Sequence, residues 1–329
     1  MLPESGIVLA PLAGGPSTPE LAAAVSNAGG VGFLGGAYLA PEQMREQLAV
    51  ARRLTSGPLG VNLFVLRDRP VDQAAVTAYA KELEPEARRL GVQLGEPHYD
   101  DDAFDAKLEI ALDAGVEVVS FTFGCPAASV IARVRRSGVA VWLTVTSSEE
   151  ARAASTGGAD ALVVQGPEAG GHRGTWEDRD DGDVPLLELV EAIAARECVP
   201  LIAAGGIADR KGVLAALAVG ATAVQVGTAF LLCPEAGTGD AYRRAVAAGG
   251  QTGVTRAVTG RRGRGLVNAF MRAHDGAPSA YPHVHHLTSP LRAAARSAGD
   301  ANGFNLWAGT NVALVGAEPA ADVVARLRP

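Results

Sequence analysis

The residues best placed to do chemistry lie in one glycine-framed run, Gln165-Gly166-Pro167-Glu168-Ala169-Gly170-Gly171-His172-Arg173-Gly174. Glycines around His172 let the backbone approach a flat ligand while the imidazole stays available as a base or hydrogen-bond donor. Arg173 is either a cation facing a substrate or one half of a loop-bracing ion pair. Two more loops, Ala204-Gly205-Gly206-Ile207 and Gln225-Val226-Gly227-Thr228, present backbone N–H groups with no Cβ in the way. That suits the phosphate of a cofactor, and the plainer alternative is a pair of tight turns.

Other candidates carry less. Cys125, in Phe123-Gly124-Cys125-Pro126, has no companion base at a telling distance in sequence and reads as a partly buried thiol. His283-Val284-His285-His286 lacks an HExxH pattern and an obvious carboxylate partner, so a lid surface or substrate gate is expected there and no metal centre. No Rossmann glycine fingerprint, P-loop or nucleophile elbow occurs. Tyr38, Phe64, Trp176 and Trp307 are either apolar walls around a ring-shaped ligand or core. Trp176 is expected on a surface insert beside Glu177-Asp178-Arg179-Asp180-Asp181, itself read as a solvated loop.

The elements that must position these residues follow from a repeating pattern. Short β-branched or Leu-rich runs alternate with Ala-rich amphipathic segments, the signature of βα units on a parallel sheet. Strands are expected at Ile7–Ala10, Val31–Leu34, Leu59–Val65, Glu117–Phe121, Val139–Val145, Ala161–Val164, Pro200–Ala203 and Ala223–Val226. Thr18 should cap the first helix, and the long stretch Val71–Leu112 should hold two helices separated by Asp100-Asp101-Asp102. Eight strands close a barrel, so the expected class is α/β, a TIM (β/α)8 barrel with a smaller, mainly helical cap. In such a barrel the strand C-terminal ends carry the site, which is where the three glycine loops fall. The division expected is a barrel over residues 1–232, a cap over 233–289, and a C-terminal segment over 290–329 packing back on the barrel.

Composition bounds the function. The 329 residues carry 29 basic and 36 acidic side chains, a net charge of −7, which argues against nucleic acid or an anionic membrane as partner. Cys125, Cys198 and Cys233 form no CxxC, which excludes a disulfide framework and fits a reducing cytoplasm. The start of the chain lacks a secretory pattern, and the most apolar window, Leu214 to Cys233, is broken by Gly220, Thr222, Gln225, Gly227 and Thr228. A cytoplasmic protein is expected, and a homo-oligomer is compatible with this reading.

Ala10-Pro11-Leu12-Ala13-Gly14-Gly15, Gly60-Val61-Asn62-Leu63-Phe64, Gln165 through Gly174, Ala203 through Ile207 and Gln225 through Phe230 together resemble the nitronate monooxygenase family, formerly the 2-nitropropane dioxygenases. Thr259-Gly260-Arg261, Gly265 through Asn268 and Asn305 through Gly309 extend the resemblance into the cap. It implies noncovalent FMN and oxidation of alkyl nitronates, such as propionate 3-nitronate, by molecular oxygen to a carbonyl compound and nitrite. Carried over by position, Asn62, Gln165, Gly170, Gly206, Gln225, Val226, Gly227 and Thr228 would contact the flavin, with His172 beside its reactive face. Gly205 joins them from the turn. Leu12, where the early motif often has methionine, Pro167, and Cys125 before Pro126 depart from the family pattern and leave substrate choice open. A flavin-dependent enoyl-acyl-carrier-protein reductase using NAD(P)H is the alternative within the superfamily, and Gln165 speaks against it. A noncatalytic flavin-binding barrel is the alternative outside enzymes.

Overall fold

The computed structural model describes residues 2–180 and 182–329. In chain order the first half comprises β1 (Ile7–Leu9), α1 (Pro19–Asn27), β2 (Gly32–Gly35), α2 (Pro41–Leu54), β3 (Leu59–Phe64), α3 (Gln73–Leu90), α4 (Phe104–Asp113), β4 (Val118–Thr122), α5 (Ala128–Arg136), β5 (Ala140–Val145) and α6 (Ser148–Gly157). There follow β6 (Ala161–Gln165), β7 (Gly171–His172), α7 (Leu186–Ala194), β8 (Leu201–Ala204), α8 (Arg210–Ala218), β9 (Ala223–Val226), α9 (Asp240–Ala248), β10 (Thr252–Thr255), β11 (Gly263–Leu266), α10 (Ala269–Ala273), α11 (His283–Ser297) and α12 (Ala320–Leu327).

Eight parallel strands pair in the order β1-β9-β8-β6-β5-β4-β3-β2. A parallel bridge between Val8 and Val31 brings β1 back to the β2 edge and closes the cylinder. This is the TIM barrel expected. Each strand is buried on both faces, because helices cover the outside and side chains fill the inside. The inside holds Val8, Phe33, Val118, Trp142, Val163 and Ile202. A Cβ on Gly60 would fall 2.4 Å from Phe33 Cζ, so the glycine in β3 makes the space that the Phe33 ring occupies. Helix starts follow the expected capping chemistry: Thr18, Asp72, Ser147 and Asp209 each accept a hydrogen bond from the first turn.

Three features differ from the sequence reading. The glycine–histidine run contains strand β7, which pairs with β11 in a three-stranded antiparallel sheet, β10-β11-β7. Sequence could not show it, since its partner lies about 90 residues on (Gly263 opposite His172). The histidine cluster is the first turn of α11 rather than a segment ahead of a helix, so the boundary expected at 289/290 falls inside one helix. Helix α3, from the long insert after β3, packs on α11 in a separate core with Tyr79, Leu83, Val284 and Leu287. The lid over the strand ends is therefore built from two distant stretches of chain. No helix among the described residues is long and apolar enough to cross a membrane.

Candidate active site

The C-terminal ends of the barrel strands open into a cavity of about 200 Å³. Asn62, Gln165, Gly170, Gly205, Gly206, Gln225, Val226, Gly227, Thr228 and His172 all line it. The fold thus gathers these ten residues at one mouth, the face on which barrel enzymes work.

One end of this cavity is suited to an anion. Gly205 and Gly206 sit at φ +125° and +65°, a backbone region that favours glycine. Among the described residues, the amide N–H groups of Gly205, Gly206 and Gly227 find no acceptor within the protein. Donors left unpaired at a concave surface are what a phosphate group satisfies. Thr228 Oγ1 accepts from the Gly309 amide at 3.0 Å, tying the C-terminal segment to this edge. Gly170 has a packing reason of its own, since a Cβ there would meet the Ala308 carbonyl carbon at 2.6 Å.

The middle of the cavity offers polar groups in fixed orientations. Asn62 Oδ1 accepts from Ser120 Oγ at 2.8 Å and from Thr122 Oγ1 at 2.9 Å, which leaves the Asn62 amide nitrogen as the donor for a ligand. Gln225 Oε1 is buried without a partner and stands as an acceptor. Gln165 is more constrained: its Nε2 donates to the His172 carbonyl at 3.0 Å, and its Oε1 accepts from the Gly174 amide at 2.7 Å. Those bonds hold the backbone on both sides of His172.

At the other end the His172 ring is ringed by Trp307, Tyr281, Phe123 and Phe64, with centroids 5.4, 5.7, 5.8 and 6.4 Å away. Its Nε2 lies 2.9 Å from Thr259 Oγ1, and Nδ1 makes no hydrogen bond among the described residues. Burial first, then the charges of Arg261 and Arg292, push the imidazole pKa down to about 3. The ring is neutral at working pH, so one nitrogen donates a hydrogen bond and the other accepts, and it does not act as a cation. Gly263 and Gly265 of β11 leave the flat surface on which Trp307 lies; a Cβ on Gly263 would stand 2.9 Å from the Trp307 ring. Phe123 holds φ +76°, costly for a bulky residue, and carries the Arg261 guanidinium 3.8 Å over its ring.

The remaining candidates sort plainly. Arg173 braces the loop: its Nε lies 3.0 Å from Asp183 Oδ1, and it donates to the Gln165 carbonyl. Cys125 lies outside the cavity, and burial raises its thiol pKa. Tyr38, Phe64 and Trp307 line the cavity. Trp176 does not; instead of standing on a surface insert it packs against the main core, donating to the Thr144 carbonyl at 3.1 Å. The acidic run is no free solvated loop either, since Glu177 pairs with Arg69 and Asp178 with Arg256 at 2.8 Å; Asp181 lies outside the described residues. His286 has the carboxylate partner that sequence did not supply, Asp100 at 3.0 Å, and stacks on His98 at 3.9 Å. Thr259, Phe123, Tyr281, Arg292 and Arg296 were missed as site residues. Thr259 heads the Thr-Gly-Arg segment that carries part of the resemblance, the one sequence signal among them.

The family described as Nitronate monooxygenase matches residues 2–329. A Pseudomonas aeruginosa protein named nitronate monooxygenase is 40% identical over 98% of this chain and 94% of its own. The chain belongs to the nitronate monooxygenase family. A second relative of that name, from Paraburkholderia phytofirmans, is 38% identical over 98% of this chain and 90% of its own. Among solved structures, a nitroalkane oxidase from Streptomyces ansochromogenes superposes with a TM-score of 0.96 at 46% identity, covering 99% of this chain and 95% of that one. FabK from Thermotoga maritima is more distant, with a TM-score of 0.78 at 27% identity, covering 99% and 92%. Membership of the nitronate monooxygenase family makes this chain an oxidoreductase.

Proposed function

We propose that this enzyme binds FMN noncovalently and oxidises alkyl nitronates, propionate 3-nitronate among them, with molecular oxygen to a carbonyl compound and nitrite. The observation that carries the reading is the pairing, in one cavity, of three unpaired backbone donors with a neutral imidazole in an aromatic cage. The residues present fit the cofactor. Gly205, Gly206 and Gly227 would hold its phosphate, and the Asn62 amide and the orphaned Gln225 Oε1 would meet the polar edges of its ring. FMN bound there supplies the redox chemistry.

The chain's own residues supply position and proton handling. His172 Nδ1, free of protein partners, orients the nitronate by hydrogen bonding or takes the α-proton from a neutral nitroalkane. Thr259 fixes the ring by holding its other nitrogen. Trp307, Phe123 and Tyr281 keep water from the reacting carbon.

Anaerobic mixing tests the reading. The purified protein should be yellow, and propionate 3-nitronate should remove its flavin absorbance near about 450 nm. Bleaching by NADPH and not by the nitronate would replace this reading with a nicotinamide-dependent reductase.

A further inference from the structure

The segment between α3 and α4 folds back on the first turns of α11 and brings together side chains that the reaction above does not use. His98, Asp100 and His286 each offer one ligand atom, and these atoms all lie within 4.8 Å of one another. None of the three lines the cavity of the glycine loops. The close approach depends on Gly95, where a Cβ would fall 2.0 Å from the His286 carbonyl oxygen; its amide donates to the Leu287 carbonyl at 3.0 Å. Pro290, inside α11, has no N–H with which to claim the His286 carbonyl in the usual helical way.

Two of the three side chains are held by a contact behind the ligand atom. His98 Nδ1 lies 2.9 Å from the Glu96 carbonyl. A carbonyl only accepts, so the proton of the neutral ring sits on Nδ1 and the lone pair on Nε2. Asp100 Oδ1 accepts from the Asp102 amide at 2.6 Å, which leaves Oδ2 to the imidazoles, 3.0 Å from His286 Nε2 and 3.9 Å from His98 Nε2. Outer contacts of this kind orient the ligands of built metal sites.

A plain ion pair between His286 and Asp100 is the simpler account, and the geometry speaks against it. His286 Nε2 is shielded from solvent and forms no hydrogen bond among the described residues, although Asp100 Oδ2 is 3.0 Å away. The oxygen therefore lies off the line along which an N–H would point. The rings of His98 and His286 stack at 3.9 Å, an arrangement two cations would resist. His274 and Glu82, by contrast, form an ordinary hydrogen-bonded pair. Lone pairs that face one another without a proton between them call for a cation. A tetrahedral ion with bonds of about 2.0–2.1 Å sets its ligand atoms about 3.3 Å apart. The separations of 3.0 and 3.9 Å bracket that value, and His98, 54% exposed, closes the longer one by turning out of the stack.

We propose that His98 Nε2, Asp100 Oδ2 and His286 Nε2 bind a zinc ion, with water as fourth ligand, and that the ion staples the α3–α4 segment to α11. Two imidazoles and a carboxylate suit zinc, whereas magnesium and calcium prefer oxygen alone. The staple bears on the lid, because His285 of the same turn stacks on Tyr38 at 4.3 Å, and Tyr38 lines the active-site cavity. Sequence gave no sign of the site, since the carboxylate lies nearly 190 residues before the histidines (100 against 286).

The test titrates the protein as purified, freed of metal by dialysis against EDTA, with zinc sulfate in a calorimeter. One zinc per chain should bind, and His98→Ala and Asp100→Asn should each weaken the affinity at least tenfold. Asparagine keeps the oxygen that accepts from the Asp102 amide, and His98 is exposed, so neither change disturbs the fold. His274→Ala, which breaks the other imidazole–carboxylate pair, should bind zinc as wild type does, and equimolar magnesium should not compete. Zinc should also slow amide exchange in residues 91–103 and in the first turns of α11 in wild type, and not in the two weakened variants. Absence of saturable zinc binding, or binding that neither substitution weakens, overturns the site. Zinc bound with no slowing of exchange in either stretch overturns the staple.

Discussion

An imidazole enclosed by four aromatic rings, with two guanidinium charges near it, holds a proton poorly, and His172 is such a group. Its base strength in the folded protein is therefore modest, which suits hydrogen bonding to an already formed nitronate better than removing a proton from a nitroalkane. His172→Asn should keep FMN and lose roughly 10²-fold in kcat with neutral nitroalkanes, and less with nitronates. Equal losses with both would show that the ring acts only by position. The same burial couples the residue to stability. The pKa falls from 6.5 to about 3 on folding, so between those values the unfolded chain binds a proton that the native one does not. Stability is complete above pH 6.5 and declines as pH falls through that window, and urea midpoints at pH 7 and pH 4.5 should differ less in the variant than in wild type. His172 and the glycine loops were legible because their signal is local, a run of small residues after an apolar strand. Thr259, Tyr281 and Arg292 were not, because they act on the ring from segments about 90 to 120 residues further along (172 against 259, 281 and 292), and only Thr259, in the Thr-Gly-Arg segment of the resemblance, is marked by its neighbourhood.

At the scale of elements the barrel was read nearly residue for residue: β9 has the boundaries expected and the other seven barrel strands begin and end within one residue of theirs, since Pro and Gly punctuate them. What alternation cannot show is how inward side chains share the interior. Phe33 and Trp142 lie 5.5 Å apart there, and Gly60 is the vacancy that admits the Phe33 ring. A methyl at position 60 must displace an aromatic ring enclosed on all sides. Gly60→Ala should destabilise the protein by about 1–3 kcal/mol through overpacking, read as a lowered denaturation midpoint. Because Gly60 lies two residues before Asn62 on the same strand, FMN affinity should fall with it. A variant as stable as wild type would show that the interior has slack absent from the packing described. Strand β7 escaped the sequence reading for the opposite reason: two residues of glycine and histidine carry no strand pattern, and only β11 makes them one.

At the scale of the whole molecule, the barrel and its lid are joined beside the site by the acidic run after β7. Asp178 lies at the junction, 2.8 Å from Arg256 Nε and 2.7 Å from Ser279 Oγ, and it also accepts from the Arg262 amide at 3.3 Å. Burial raises the affinity of its carboxyl for a proton, but the bonds from Arg256 and Ser279 and the charge of Arg261 outweigh this and hold its pKa below the usual carboxylate range. The sign follows: the tie is complete above the ordinary carboxylate pKa of about 4 and is lost as pH falls through the lowered value. Asp178→Ala removes an anion that three donors converge on and leaves Arg256 with the exposed Asp180 alone, a loss of about 1–3 kcal/mol. That loss should fall on the lid, because the glycine amides proposed to hold the phosphate belong to loops after β8 and β9. The variant is expected to retain FMN, to exchange the amide hydrogens of β10, β11 and α11 faster, and to show a raised KM for nitronate with less change in kcat. If exchange in those elements stays at the wild-type rate, the lid is held by its apolar core around Val284 and Leu287 instead, and the acidic run is no more than its rim.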